Sequence, residues 1–246
     1  MNTQNNLKAK ALLLLLLVAA GMAKAQNYQP YKSGVIAYHG YSFPIVPGTD
    51  EWKSINHTQR VASLQLPADT LQNISTARLL ETCLYYPFNI DIFALDDQIY
   101  SFNRVKEQFN GYAELYQRAD FVQQLMNLYS GRNVALRNQM NVGYERGRYA
   151  TDYCILEFML SDAALLASDT QAAQIATMLF EKKEQKIQCN YGNVNKMVIA
   201  LTIGRCLQRS NAFLDYQGTT LLSFMHSGKL TNANDIEYIF SKTKNL

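Results

Sequence analysis

TDYCILEFML, residues 151–160, and MVIALTIGRCL, residues 197–207, decide the fold of this 246-residue chain. Both are apolar almost all round when wound as helices, and such a helix is stable in water only where other helices surround it. They therefore mark the centre of a bundle. Around them lie stripes that are apolar on one side only. Ile175, Ala176, Leu179 and Phe180 follow a cap at Ser168 or Asp169; Phe121, Val122, Leu125, Leu128 and Tyr129 repeat the spacing and stop at Gly131. Ile99, Phe102, Val105, Phe109, Tyr112 and Tyr116 form a further stripe, on one helix or on a pair bent near Gly111. Thr49 or Asp50 caps a helix carrying Trp52, Ile55 and Val61 that stops before Pro67. A short turn spans 68–74, Ser75 or Thr76 caps a helix over 77–86 that ends before Pro87, and a last helix fits 234–242. Eight or so helices of uneven length, without a repeat of about 30–45 residues, predict an all-α, irregular multi-helix bundle over 49–246.

Residues 26–48 differ in kind. Prolines 30, 44 and 47 and glycines 34, 40 and 48 interrupt the chain too often for a helix, and Tyr28, Tyr31, Tyr38 and Tyr41 crowd a stretch without an acid. This predicts an extended N-terminal arm lying on the bundle, with a short strand at 35–38 and its tyrosines as a secondary contact surface. Before it, Lys8 and Lys10, an apolar run from Ala11 to Ala20 containing Leu12 to Leu17, and the triplet Ala23-Lys24-Ala25 have the three-part order of a cleavable signal peptide over 1–25. The apolar run is about ten residues, whereas a membrane-crossing helix needs about 20, so no transmembrane anchor is expected. The product is read as exported: periplasmic, cell-surface or extracellular.

Removal of residues 1–25, with three lysines and no acid, takes 23 basic and 20 acidic residues to 20 of each. A neutral chain lacks the basic surplus that nucleic-acid binding uses to displace counterions, so no nucleic-acid partner is expected. The four cysteines, an even number in an exported chain, permit two disulfides. Cys154 and Cys189, read as the far ends of two consecutive antiparallel helices, make one candidate pair and leave Cys83 with Cys206; the alternative is four free thiols packed as small hydrophobes. Their spacing with the scattered His39, His57 and His226 fits no metal site, and no cofactor is expected.

Catalytic residues are not assignable. The histidines have no serine or cysteine in a nucleophile setting beside them; Asp96 and Asp97 read as a helix cap and first-turn charge rather than, with Asp91, Glu107 or Glu114, a glycosidase pair; and Cys154 or Cys189 as nucleophile lacks a placed histidine. Nucleotide, P-loop, zinc-protease and serine-hydrolase motifs are absent. The most unusual stretch is YSGRNVALRNQMNVGYERGRY, residues 129–149. Its Arg132, Arg137, Arg146 and Arg148, with Tyr144 and Tyr149, have the donors and aromatic faces to hold an anionic or sugar ligand on a long connection. The plainer reading is that these arginines pair with acids and cap carbonyls of neighbouring helices. Asn56 and Asn73 begin N-glycosylation triplets, and Asp69-Thr70-Leu71 matches a short O-glycosylation acceptor centred on Thr70.

QLPADTLQNI at 65–74, STARLLETCLYYP at 75–87 and FNRVKEQFNGYAELYQRAD at 102–120 resemble a group of uncharacterised exported α-helical proteins of Bacteroides-type bacteria, over about a third of the chain. The resemblance implies an envelope or secreted address in a Gram-negative cell and carries over no activity. The sequence thus predicts a binding or scaffold protein whose partner is an envelope protein or a glycan. An exported polysaccharide hydrolase and a structural subunit of an envelope assembly are the alternatives.

Overall fold

A computed structural model describes residues 29–140, 143–191 and 194–243; the expected signal peptide and Tyr28 lie outside them. The described residues contain thirteen α-helices, one 3-10 helix and no strand, so the chain is all-α. The order is α1 (Asp50–Ser54), α2 (His57–Ser63), α3 (Ala68–Asn73), α4 (Thr76–Leu84), a 3-10 helix (Pro87–Phe93), α5 (Gln98–Gln108), α6 (Asn110–Leu115), α7 (Phe121–Gly131), α8 (Leu136–Gln139), α9 (Gly143–Leu166), α10 (Asp169–Gln188), α11 (Lys196–Gln208), α12 (Thr220–Ser227) and α13 (Asn234–Thr243).

The two all-round apolar segments are the centre of the molecule. Every residue from Asp152 to Ser161 of α9 and from Val198 to Gly204 of α11 is buried. α11 packs against α9, α10, α12 and α13; α9 also packs on α4, α7 and α8. Gly204 lets α12 and α13 come this close, because a Cβ there would stand 3.0 Å from the Met225 Cγ and 3.2 Å from the Ile239 Cδ1. No helix of the described residues is long and apolar enough to cross a membrane.

Short range chemistry sets the boundaries. The helix expected from Thr49 is two: α1 stops at the extended Ile55, and Asn56 opens α2 with a reciprocal capping box to Gln59. The expected Ile99–Tyr116 stripe breaks at the extended Phe109, whose ring stacks on Tyr86 at 4.3 Å. Ser75 and Ser168 cap α4 and α10 as the sequence predicts. The 3-10 helix after Tyr86 and helix α12 were not anticipated. Helix C-termini are finished by arginines reaching from other elements. Arg118 donates to the Leu71 and Ile74 carbonyls behind α3, Arg209 to Ala164, Leu165 and Ala167 at the end of α9, and Arg205 to Met225 in α12. A guanidinium fork suits this work, satisfying several orphan carbonyls while setting positive charge at the negative helix end.

Residues 29–48 have no helix or strand, and where a strand was expected at 35–38 the chain bends at 35–36 and is irregular after it. The backbone of this arm is bonded to side chains of the bundle. His39 N–H donates to Glu81, Tyr41 N–H to Thr82 Oγ1, and the Arg78 guanidinium to the His39 carbonyl. A segment whose hydrogen bonds are already taken by the bundle has no need of a partner strand.

Candidate functional site

Two carboxylates sit in the middle of α9 with no exposure at all: Asp152 and Glu157. At 100° per residue they point about 140° apart, so each meets different neighbours. Ionised acids at this depth are tolerated only when paired and hydrogen-bonded. Both are.

Asp152 faces the arm and the 129–149 segment. It accepts from Arg132 at 2.9 Å, Arg148 at 3.1 Å and the Tyr31 hydroxyl at 2.6 Å. Arg132 is itself buried, packed under the rings of Tyr149 and Tyr153 at 4.7 and 5.7 Å. Burial works against its charge, yet Asp152 and the tyrosines around it outweigh that and hold its pKa above the usual arginine range. Burial, then the Asp152 charge, pushes the Tyr31 hydroxyl far up, so it remains a donor. Beside this, Glu145 takes the Ser33 N–H at 2.9 Å and the Ser33 hydroxyl at 2.7 Å. The arm is thus fastened to α9 at two successive points, Tyr31 and Ser33.

Glu157 faces α7 and α10. One oxygen receives the Lys186 ammonium and the Tyr129 hydroxyl, the latter at 2.7 Å, and the other receives the Asn195 amide at 3.1 Å. Lys186 has no exposure either, and its Nζ lies 5.1 Å from the centre of the Tyr153 ring. Tyr153 therefore stands between the two carboxylate centres, with its hydroxyl on the Arg132 carbonyl, which also accepts from Lys182.

The expected Arg-Tyr segment is only partly a connection. Residues 132–140 follow α7 and include α8, whereas Gly143 to Tyr149 are the first two turns of α9. Arg132 and Tyr149 are buried, the Tyr149 hydroxyl donating to the Asn133 carbonyl. Arg137 lies over the Tyr191 ring at 4.8 Å, Arg146 donates to the Met140 carbonyl at 2.6 Å and Arg148 is taken by Asp152. Of the six, Tyr144 is 65% exposed and Arg146 is exposed as well, its guanidinium bonded back to the chain. Thr70 lies half-buried on α3.

The disulfide expectation is corrected. Cys83, Cys154, Cys189 and Cys206 are all free thiols. The long first turns of α9 give the reason: Cys154 is mid-helix, about 20 Å from the Ser168 corner, whereas Cys189 ends α10 about 30 Å from it, so the pair is out of register. Burial pushes the Cys154 and Cys206 thiols up to about 12 and the Cys83 thiol well above its ordinary value.

An open groove of about 530 Å³ runs between α7 and α10. Gln123, Asn127, Ser130, Gln174, Thr177 and Glu181 line it with amides, hydroxyls and one carboxylate, over Met126, Met178 and Ala173. Behind these, Leu125, Ile175 and Leu179 are fully buried in the core. The sequence reading used both helices for their apolar faces and passed over the polar positions between. It also passed over Asp152 and Glu157, whose signal was visible as two acids inside an otherwise apolar ten-residue run. No family model, curated protein or solved structure matches this chain.

Proposed function

We propose that this chain is an exported binding protein of the cell envelope that holds a polyhydroxylated chain, a glycan, in the groove between α7 and α10. The observation that carries this is the groove's lining. Gln123, Asn127 and Gln174 offer amides that donate and accept at once, Ser130 and Thr177 add hydroxyls, and Met126 and Met178 supply an apolar floor for C–H faces of sugar rings. An open trough between two helices suits a long polymer, which enters from the side rather than through a mouth. Glu181 is the one carboxylate in this lining, where glycoside hydrolysis ordinarily uses two, so binding is favoured over the hydrolase alternative. The lysine-bearing start, leucine run and Ala23-Lys24-Ala25 triplet support export. The arginines of 129–149 are engaged within the protein, which moves the preferred surface from that segment to the groove.

Titration calorimetry with purified envelope polysaccharide and peptidoglycan fragments tests this. Each lost side-chain hydrogen bond costs about 0.5–1.5 kcal/mol, so the double substitution Asn127→Ala, Gln174→Ala is expected to weaken binding by roughly 10-fold or more. Tyr144→Ala with Arg146→Ala is expected to leave it unchanged. Absence of glycan binding by the wild type, or loss only in the second variant, overturns the proposal.

A further inference from the structure

Lys186, Glu157 and Asn195 meet in one buried cluster that the proposed binding role does not use. The Lys186 Nζ sits on one oxygen of the Glu157 carboxylate and the Asn195 Nδ2 on the other, at 3.1 Å. Glu157 and Lys186 have no exposure and Asn195 has 7%. Local geometry brings these together although Lys186 and Asn195 are nine residues apart. α10 ends with the left-handed Asn190 (φ 57°), the Tyr191 N–H closing on the Lys186 carbonyl at 3.0 Å and the Asn190 N–H on Ile187 at 3.1 Å. Asn195 opens α11 in a second left-handed conformation (φ 53°) with its side chain turned to Glu157 instead of capping the helix. A strained backbone that sends an amide into the interior, onto a carboxylate that also holds a lysine, indicates a use for that amide.

We propose that Lys186 and Asn195 become joined by an intramolecular isopeptide bond, with Glu157 as the proton carrier. Glu157 takes a proton from the Lys186 ammonium. The freed Nζ lone pair attacks the Asn195 Cγ, one bond from the Nδ2 that the same carboxylate holds, and a tetrahedral carbon forms. A second proton from Nζ reaches Nδ2, the Cγ–Nδ2 bond breaks, and ammonia leaves. The balance is an ammonium, a carboxylate and a primary amide giving a secondary amide, a carboxylic acid and ammonia. No oxidant or co-reactant enters, and the product leaves no unpaired buried charge on Glu157. Primary amides react slowly with amines in water; placing the groups within one carboxylate's reach supplies effective molarities on the order of 10⁵ M or more, and the absence of solvent keeps the proton inside the cluster. The Tyr129 hydroxyl, on the same oxygen as Lys186, orients the carboxylate.

Tryptic mapping of the purified chain by tandem mass spectrometry is the test. The expected product is a peptide of residues 184–196, uncut after Lys186, lighter than its sequence by about 17 Da, and giving no backbone fragments between 186 and 195 because those residues form a ring. Glu157→Gln, and independently Asn195→Ala, are expected to restore cleavage after Lys186 and the sequence mass. A wild-type peptide cut at Lys186 with Asn195 intact overturns the proposal. So does a loss of about 17 Da confined to one asparagine with Lys186 still cut, which is the mark of a succinimide.

Discussion

Asp152→Ala is the substitution that tests the buried network most directly. Its carboxylate has three partners, and the cost of losing it differs for each. Arg148 is partly exposed and regains water, so its share is about 0–1 kcal/mol. The Tyr31 hydroxyl is left without its acceptor beneath the arm, at about 1–3 kcal/mol. Arg132, 9% exposed, stays charged because a guanidinium does not give up its proton in proteins, and removing one partner of a buried pair costs about 3–5 kcal/mol. These shares overlap, since Tyr31 and Arg132 use the same oxygen, and a total of about 4 kcal/mol is expected. For a domain with native stability of about 5–15 kcal/mol that is a large fraction. In urea unfolding followed by circular dichroism, with a slope of about 2.5 kcal/mol/M, the midpoint drops by roughly 1.5 M. Arg132→Leu combined with Asp152→Leu removes both charges together and is expected to be more stable than either single change. A midpoint unmoved by Asp152→Ala, or single and double costs that simply add, refutes the reasoning.

Three further outcomes follow from other parts of the molecule. The Ser33 hydroxyl and then its N–H hold the Glu145 pKa below the usual carboxylate value, so the contact's contribution is complete above about pH 4.3 and is lost as pH falls through the lowered native value; exchange protection of the Ser33 amide should fall on acidification between pH 5 and 3, and protection that stays constant counts against the fastening. Iodoacetamide at pH 8 should modify the half-buried Cys189 in the native chain while Cys83, Cys154 and Cys206 react only after unfolding; a non-reducing peptide map containing any linked pair contradicts this. Gly228 ends α12 at φ 74°, where a Cβ would stand 3.1 Å from the Ile99 Cγ1, so Gly228→Ala should cost about 1–2 kcal/mol in the same urea assay, and a neutral result disproves the conformational argument.

Why some of this was legible in the sequence and some was not comes down to how far each signal reaches. Ser168 with Gln171, and Ser75 before an apolar run, act within one turn, so both helix starts were readable from residues alone. The burial of α9 and α11 was equally plain, because a helix apolar on all sides has one stable environment. The start of α9 was misplaced by eight residues because Gly143, Gly147, two arginines and two tyrosines look like connection. They are helical because Glu145, Tyr149 and Asp152 each gain a hydrogen-bond partner from elsewhere in the chain and Arg148 lies over the Tyr85 ring, and sequence spacing does not record such partners. The same omission produced the disulfide expectation, which rested on the wrong helix length.

The partners of the two buried acids lay in that unrecorded layer. An acid within an apolar run is locally a defect, costing several kcal/mol if it stands alone, and a fold that keeps two of them at the centre of its longest helix must supply cations from outside that helix. Arg132 and Lys186 fulfil this from the segment before α9 and from α10. The two centres nevertheless differ in kind. Asp152 has partners from the arm and from a partly exposed arginine, so it ties a peripheral segment to the core, and its loss is expected to be read as stability. Glu157 is closed in by a lysine, a tyrosine and an amide, with no route for its charge to reach water. A carboxylate with a protonated amine on one oxygen and an amide on the other is the arrangement that proton transfer and acyl exchange require, whereas a purely structural pair would have been as well served by two apolar side chains of similar volume.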